Sequence, residues 1–192
     1  MSLAPASLAL DLSSERSSEP VVAWLTWGLT GRRDGTNLRL RPVAGRARPW
    51  PVMRPTEATC RRGHRHQAPD VACTCGLHGT HETDVLRHTK TPSVLGRVAL
   101  WGRVVEHELG FRAQFGYPQR LALVCSVCFW QWGESRSRPN VVGYFGRGTL
   151  MPLCDEHLRL AGRYGMVPSA VLEVLRVEQA LRGEYVVDAL AV

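Results

Sequence analysis

Leu121-Ala-Leu-Val-Cys125-Ser-Val-Cys128, answered after a 25-residue spacer by Pro152-Leu-Cys154-Asp-Glu-His157, decides how this chain is read. Each pair sets two soft donors three positions apart, and two such pairs can close a tetrahedral shell around one ion. Leu121 to Val124 is an apolar run that predicts a buried strand entering a tight knuckle at Cys125. Beyond it, Arg136-Ser-Arg-Pro-Asn140 is a turn cluster. Val141 to Phe145 and Thr149 to Met151 flank Gly146-Arg-Gly148 as a hairpin. Asp155 and Glu156 suit the positive end of a helix dipole, so a short helix opens there and runs to about Gly165, with His157 on its first turn.

Knuckle, hairpin and helix N-terminus, in that order, resemble a treble-clef zinc finger over residues 121–165. The resemblance implies Cys125, Cys128, Cys154 and His157 as ligands of one Zn2+. Treble clefs also scaffold HNH-type nucleases, whose catalytic histidines lie beside the finger, but residues 129–153 contain no histidine.

The remaining cysteines lie in Cys60-Arg-Arg-Gly-His-Arg-His66-Gln-Ala-Pro-Asp-Val-Ala-Cys73-Thr-Cys75-Gly76. Three thiols and one imidazole can make a second site. His66 is the preferred fourth ligand and His64 the next, while His78, His81 and His88 compete. Gly76 allows a sharp turn after the close Cys73/Cys75 pair. With only three protein ligands the site would keep an open position for water and hydrolytic chemistry. The bland reading is a solvated, histidine-rich loop with reduced thiols. The His-x-Glu and Pro-Cys-x-x-Cys elements of zinc deaminases are absent, as are His-Glu-x-x-His, Gly-x-Ser-x-Gly and phosphate-binding glycine loops. Glu106-His107-Glu108 puts two carboxylates on one strand face, an arrangement that a solvated strand end explains as well as acid/base chemistry does.

At 192 residues and 44% hydrophobic, the chain can bury a real core, so metal would staple the fold rather than replace its core. Six cysteines engaged in metal ligation fit a reducing, cytoplasmic setting. Met1 to Leu10 lacks a basic stretch and reads poorly as a signal peptide, and no apolar run suffices to span a bilayer. Of the basic residues only Lys90 is lysine. Residues 32–66 hold ten arginines against Asp34 and Glu57, where most of the chain's +7 charge resides. Such a stripe attracts phosphate, and arginine beside tryptophan combines ionic and stacking contacts. Arg32, Arg33, Arg39 and Arg41, with Trp27 or Trp50 as stacking face, are therefore the candidate nucleic-acid contacts. A solvated basic face is the plain alternative.

The expected organisation is a disordered leader (1–20), a strand-rich domain holding the first Cys/His cluster (21–124), the finger (125–165), and a C-terminal helix and tail (166–192). Val21 to Gly28 is strand-like. Leu38-Arg-Leu-Arg41 alternates, with leucines inward. The expected fold class is α+β, a mostly antiparallel barrel or half-barrel extended by the finger and helix. Pro168 to Arg182 predicts the helix, begun by Pro168 and ended by Gly183, with Val171, Leu172, Leu175, Ala180 and Leu181 as apolar face. This face either docks on the body or recruits a partner helix.

His66-x-Ala-Pro69, Cys73-Thr-Cys-Gly76, Leu95-Gly-Arg-Val-Ala-Leu-Trp-Gly-Arg-Val-Val-Glu-His-Glu108 and Gly110-Phe-Arg-Ala113 together resemble a family of small uncharacterised actinobacterial proteins, over residues 22–118. The resemblance implies a shared structural core with His66, Cys73 and Cys75 as its signature, and no assigned activity. Leu77-His78 departs from the aliphatic-tyrosine pair expected there. The functional expectation is a zinc-stabilised binding protein, leading with nucleic acid. The alternatives are a protein adaptor using the finger and C-terminal helix, and a zinc-dependent hydrolase at Cys60/Cys73/Cys75.

Overall fold

A computed structural model of the chain describes residues 16–43, 48–60, 62–63, 66–86, 89–90, 92–134 and 137–191. Two long strands organise it: β5 (Val94–His107) and β6 (Gly110–Leu123) form a hairpin across the Glu108-Leu109 turn. β1 (Arg16–Thr30) pairs antiparallel with β5 from Trp27↔Val94 back to Arg16↔Arg103. The leader expected through residue 20 is thus already strand from Arg16, while residues 1–15 lie outside the described residues. β2 (Arg39–Pro42) folds back on β1 through the Gly31–Gly35 turn, and Leu38 and Leu40 point inward as the alternation predicts.

Short strands β3 (Thr56–Glu57) and β4 (Leu77–Thr80) both pair with β6. β4 also touches β1, but only through Trp24↔Thr80. β1, β5, β6 and β4 thus pair in a ring whose seam is that one residue pair, and the expected barrel or half-barrel is, among the described residues, a ten-stranded, largely antiparallel sheet in an α+β fold that is not a clean barrel. Bulges within β1 and β5 supply the local bending. Gly96 lets the layers approach: a Cβ there would lie 2.5 Å from the Arg120 carbonyl and 2.9 Å from the Trp27 ring.

After β6 the chain enters α1 (Ser126–Trp132), then the hairpin β7 (Val141–Tyr144) and β8 (Thr149–Leu153), then α2 (Asp155–Arg163). The expected knuckle at Cys125 is instead a seven-residue helix. Cys128 and Phe129 are buried on one side of it, and Gly133 ends it in a left-handed conformation. β8 also pairs with β1 at Leu29↔Leu150, so residues 125–165 share the main sheet rather than standing apart.

The C-terminal element begins differently from its sequence pattern. Ala170–Glu173 is a strand, β9, on the open edge of β7, and the helix α3 runs Val174–Tyr185. Pairing a free sheet edge prevails over helix propensity here. Gly183 does not stop α3, and Val186 caps it with φ of 51°. Its buried face is Val177, Leu181 and Tyr185 at i, i+4, i+8, whereas Val171 and Leu175 are exposed. The Tyr185 hydroxyl donates to the Trp50 carbonyl and accepts from the Leu40 amide, both at 2.9 Å, and Glu184 meets Arg39 at 3.2 Å. The two-residue β10 (Asp188–Ala189) then adds parallel to β6. The core gathers Trp27, Trp50, Leu38, Leu40, Leu100, Leu123, Leu150 and Tyr185 from these elements. No helix among the described residues is long and apolar enough to cross a membrane.

Candidate metal centres

Among the described residues, two groups of four donors assemble in the fold. In each, one ligand atom per residue lies within 4.8 Å of the others, so each group could hold a metal ion. The first is Cys60, His66, Cys73 and Cys75; the second is Cys125, Cys128, Cys154 and His157.

The second group is assembled by four elements. The end of β6 delivers Cys125, and α1 carries Cys128 one turn on. β8 delivers Cys154, and the first turn of α2 brings His157 over the three sulfurs. His157 Nδ1 lies 3.5, 3.3 and 3.2 Å from the sulfurs of Cys125, Cys128 and Cys154. Cys128 Sγ and Cys154 Sγ are 3.9 Å apart, and the Cys154 amide donates to Cys125 Sγ. The Asn140 side chain accepts from the Asp155 amide and so holds the start of α2. All four donors are buried, packed with Leu153, Val127 and Leu158. Burial and the neighbouring Cys125 and Cys154 push the Cys128 thiol up to about 12. Burial also raises Cys154, with Cys125 adding to it.

The first group sits where the two short strands leave β6. Cys60 follows β3, and Cys73 and Cys75 precede β4. Gly76 turns the chain with φ of 132°, and a Cβ there would lie 3.0 Å from Arg112 Cβ. Cys60 Sγ is 3.9 Å from Cys73 Sγ, and His66 Nε2 is 3.2 Å from Cys75 Sγ. Only Cys73 is buried; the other three donors are partly exposed. A cleft of about 200 Å3 adjoins them, walled by Cys60, His66, Glu57, Gln67 and Gln114. Burial would raise the Cys73 thiol, but hydrogen bonds from Cys75 and Cys60 and the charge of Arg62 take it below its ordinary value. Burial and the sulfurs of Cys73 and Cys60 raise Cys75.

Sequence reasoning passed over Arg112. This side chain is buried, and its Nη1 donates to the carbonyls of Asp70, Cys73 and Cys75, tying the whole Cys73–Cys75 turn to β6. No spacing rule marks such a residue, because its partners are backbone oxygens 37 to 42 positions away.

Of the competing histidines, His78 Nε2 bonds to the Thr74 carbonyl, and His81 reaches the His107 carbonyl and Glu106. Neither belongs to a four-donor group. His64 and His88 lie outside the described residues.

The stacking half of the nucleic-acid expectation is corrected. Trp27 is 0% and Trp50 3% exposed, and their rings meet edge to face at 5.3 Å, so neither offers a base-stacking surface. Arg32, Arg33 and Arg41 are exposed, although Arg33 donates to the Ser169 carbonyl and Arg39 is engaged by Glu184. The Gly31 amide bonds to the Gly148 carbonyl, which brings exposed Arg147 to the same end of the sheet as Arg32. The large aromatic side chains that do face solvent are elsewhere: Trp130 and Trp132 on α1, and Tyr164 after α2. Compared with known proteins, the chain matches no family model, no curated protein and no solved structure.

Proposed function

We propose that both groups bind Zn2+ as closed structural centres and that the chain is a zinc-stabilised binding protein whose partner is nucleic acid. The observation that carries the metal part is the completeness of each Cys3His donor set. A tetrahedron with arms of about 2.3 Å has edges of about 3.8 Å between sulfurs. The 3.9 Å sulfur pairs of both groups sit near that value. Thiolate and imidazole donors in fourfold sets suit zinc over the oxygen-seeking cations. A hydrolytic use of Cys60, Cys73 and Cys75 needs an open position, and His66 supplies the fourth donor instead.

The partner is inferred from charge. Arg32, Arg41, Arg48, Arg54 and Arg62 are all exposed within one segment, where they can neutralise phosphates without stacking. Metal content of the full chain and X-ray absorption at the zinc edge test the first part, with two ions and sulfur-rich four-coordinate shells as the expected result. Binding to single- and double-stranded oligonucleotides over a salt series tests the second. Affinity should fall linearly on a log–log plot, and undetectable or salt-insensitive binding overturns it.

A second reading, a protein adaptor, draws on Trp130 and Trp132, which are 49% and 48% exposed on α1. It no longer draws on α3, whose apolar face packs into the core. A complex that survives nuclease and is lost in Trp130→Ala favours it.

A further inference from the structure

Resting on the zinc reading above, we propose that the Cys60 group is also a modification site. A hydroperoxide entering the adjoining cleft oxidises Cys60 and couples it to Cys73, releasing the metal. The two groups have the same donor types and the same 3.9 Å sulfur–sulfur spacing. Proximity therefore does not separate them, but access does. Every donor of the Cys125 group is buried, whereas Cys60, His66 and Cys75 reach solvent. The cleft beside Cys60 and His66 holds about 200 Å3, room for several molecules of water size. Gln67 and Gln114 in its wall can hydrogen-bond a neutral peroxide, and the Glu57 carboxylate disfavours anionic oxidants. Cys73 lies buried behind Cys60, shielded from the oxidant yet next to the sulfur that receives it.

The chemistry balances in two steps. The Cys60 thiolate attacks the terminal oxygen of the hydroperoxide. An S–O bond forms, the O–O bond breaks, and the alkoxide (hydroxide from hydrogen peroxide) leaves and takes a proton from water. The Cys73 thiolate then attacks the Cys60 sulfenic sulfur, an S–S bond forms, and hydroxide leaves and is protonated. Two electrons pass from two thiolates to the peroxide. The ion keeps only His66 and Cys75 and dissociates. Closing 3.9 Å to a disulfide of about 2.05 Å moves the sulfurs by about 2 Å.

The test treats the zinc-loaded full chain with hydrogen peroxide, follows zinc with a chromogenic chelator, and maps disulfides by mass spectrometry. One of two ions should be released, with a Cys60–Cys73 disulfide, and dithiothreitol with added zinc should restore it. Gln67→Trp, which fills the cleft wall, should slow release about tenfold while leaving the starting zinc content at two. The bulky cumene hydroperoxide should react more slowly than hydrogen peroxide on the unaltered chain. Release of both ions at one rate, oxidation mapped to Cys125, Cys128 or Cys154, or equal rates with the two peroxides overturns the proposal. Fewer than two ions before any oxidant is added refutes the zinc reading itself. Two ions that resist peroxide refute only the present inference.

Discussion

One Cys3His group lies within the packed core and the other beside a cleft lined by the loop that follows β3, although their donors and sulfur spacings match. The difference teaches that ligand identity does not set what a metal group does for a fold. The Cys125 group joins β6, α1, β8 and α2, four elements that also share apolar contacts around Leu153. The Cys60 group instead closes a loop, pinning the ends of β3 and β4 to β6 with the help of Arg112. The first is a joint of the core and the second a clip on its edge.

The comparison breaks or sharpens with graded substitutions. Cys128→Ser should have the largest effect, because losing a buried structural zinc forfeits on the order of 10 kcal/mol, comparable to a whole domain's stability. Thermal melts and metal content should report an unfolded or insoluble chain. Cys73→Ser should cost roughly 3 kcal/mol, the scale of opening a loop-closing cross-link of this length. Circular dichroism should stay near native with one ion bound, and equal losses for the two variants would abolish the distinction.

Tyr185→Phe is a control bound to neither group. It leaves the Leu40 amide and the Trp50 carbonyl without their buried partner, at about 1–3 kcal/mol by denaturant unfolding, with zinc content unchanged. Burial pushes the Tyr185 hydroxyl up to about 12, the Leu40 bond opposing. Because the folded value is raised, the stability it contributes is complete below pH 10 and fades as pH climbs through about 12. The advantage of the unaltered chain over Tyr185→Phe should shrink across that window, checked by melts beside tyrosinate absorbance. Arg32→Gln should change stability by less than about 0.5 kcal/mol. It should still lower the salt slope of oligonucleotide binding by about 1.

What could be read from the chain beforehand follows physical range. The grouping of Cys125, Cys128, Cys154 and His157 was legible because each pair is local, and the turn residues between them announce a hairpin. Leu38 and Leu40 were legible from alternation. Trp27 and Trp50 were misplaced because counting arginines says nothing about which face of β1, or of the loop after β2, becomes core. The parity of Ala23, Trp27 and Leu29, all buried, was the available signal. The start of α3 was misjudged because Ala170 to Glu173 answers an unpaired edge of β7, a demand created by residues some thirty positions away. Arg112 was invisible for the same reason, as was the single residue pair, Trp24 with Thr80, that joins β4 to β1.

β6 runs unbroken from the turn beside Arg112 to the threshold of Cys125. Ten or more extended residues make a ruler of roughly 30–40 Å. Salt water extinguishes a charge's influence within about 8 Å. An ion held at one end of that ruler would feel one at the other only weakly, so a molecule stripped at its rim should keep its keystone.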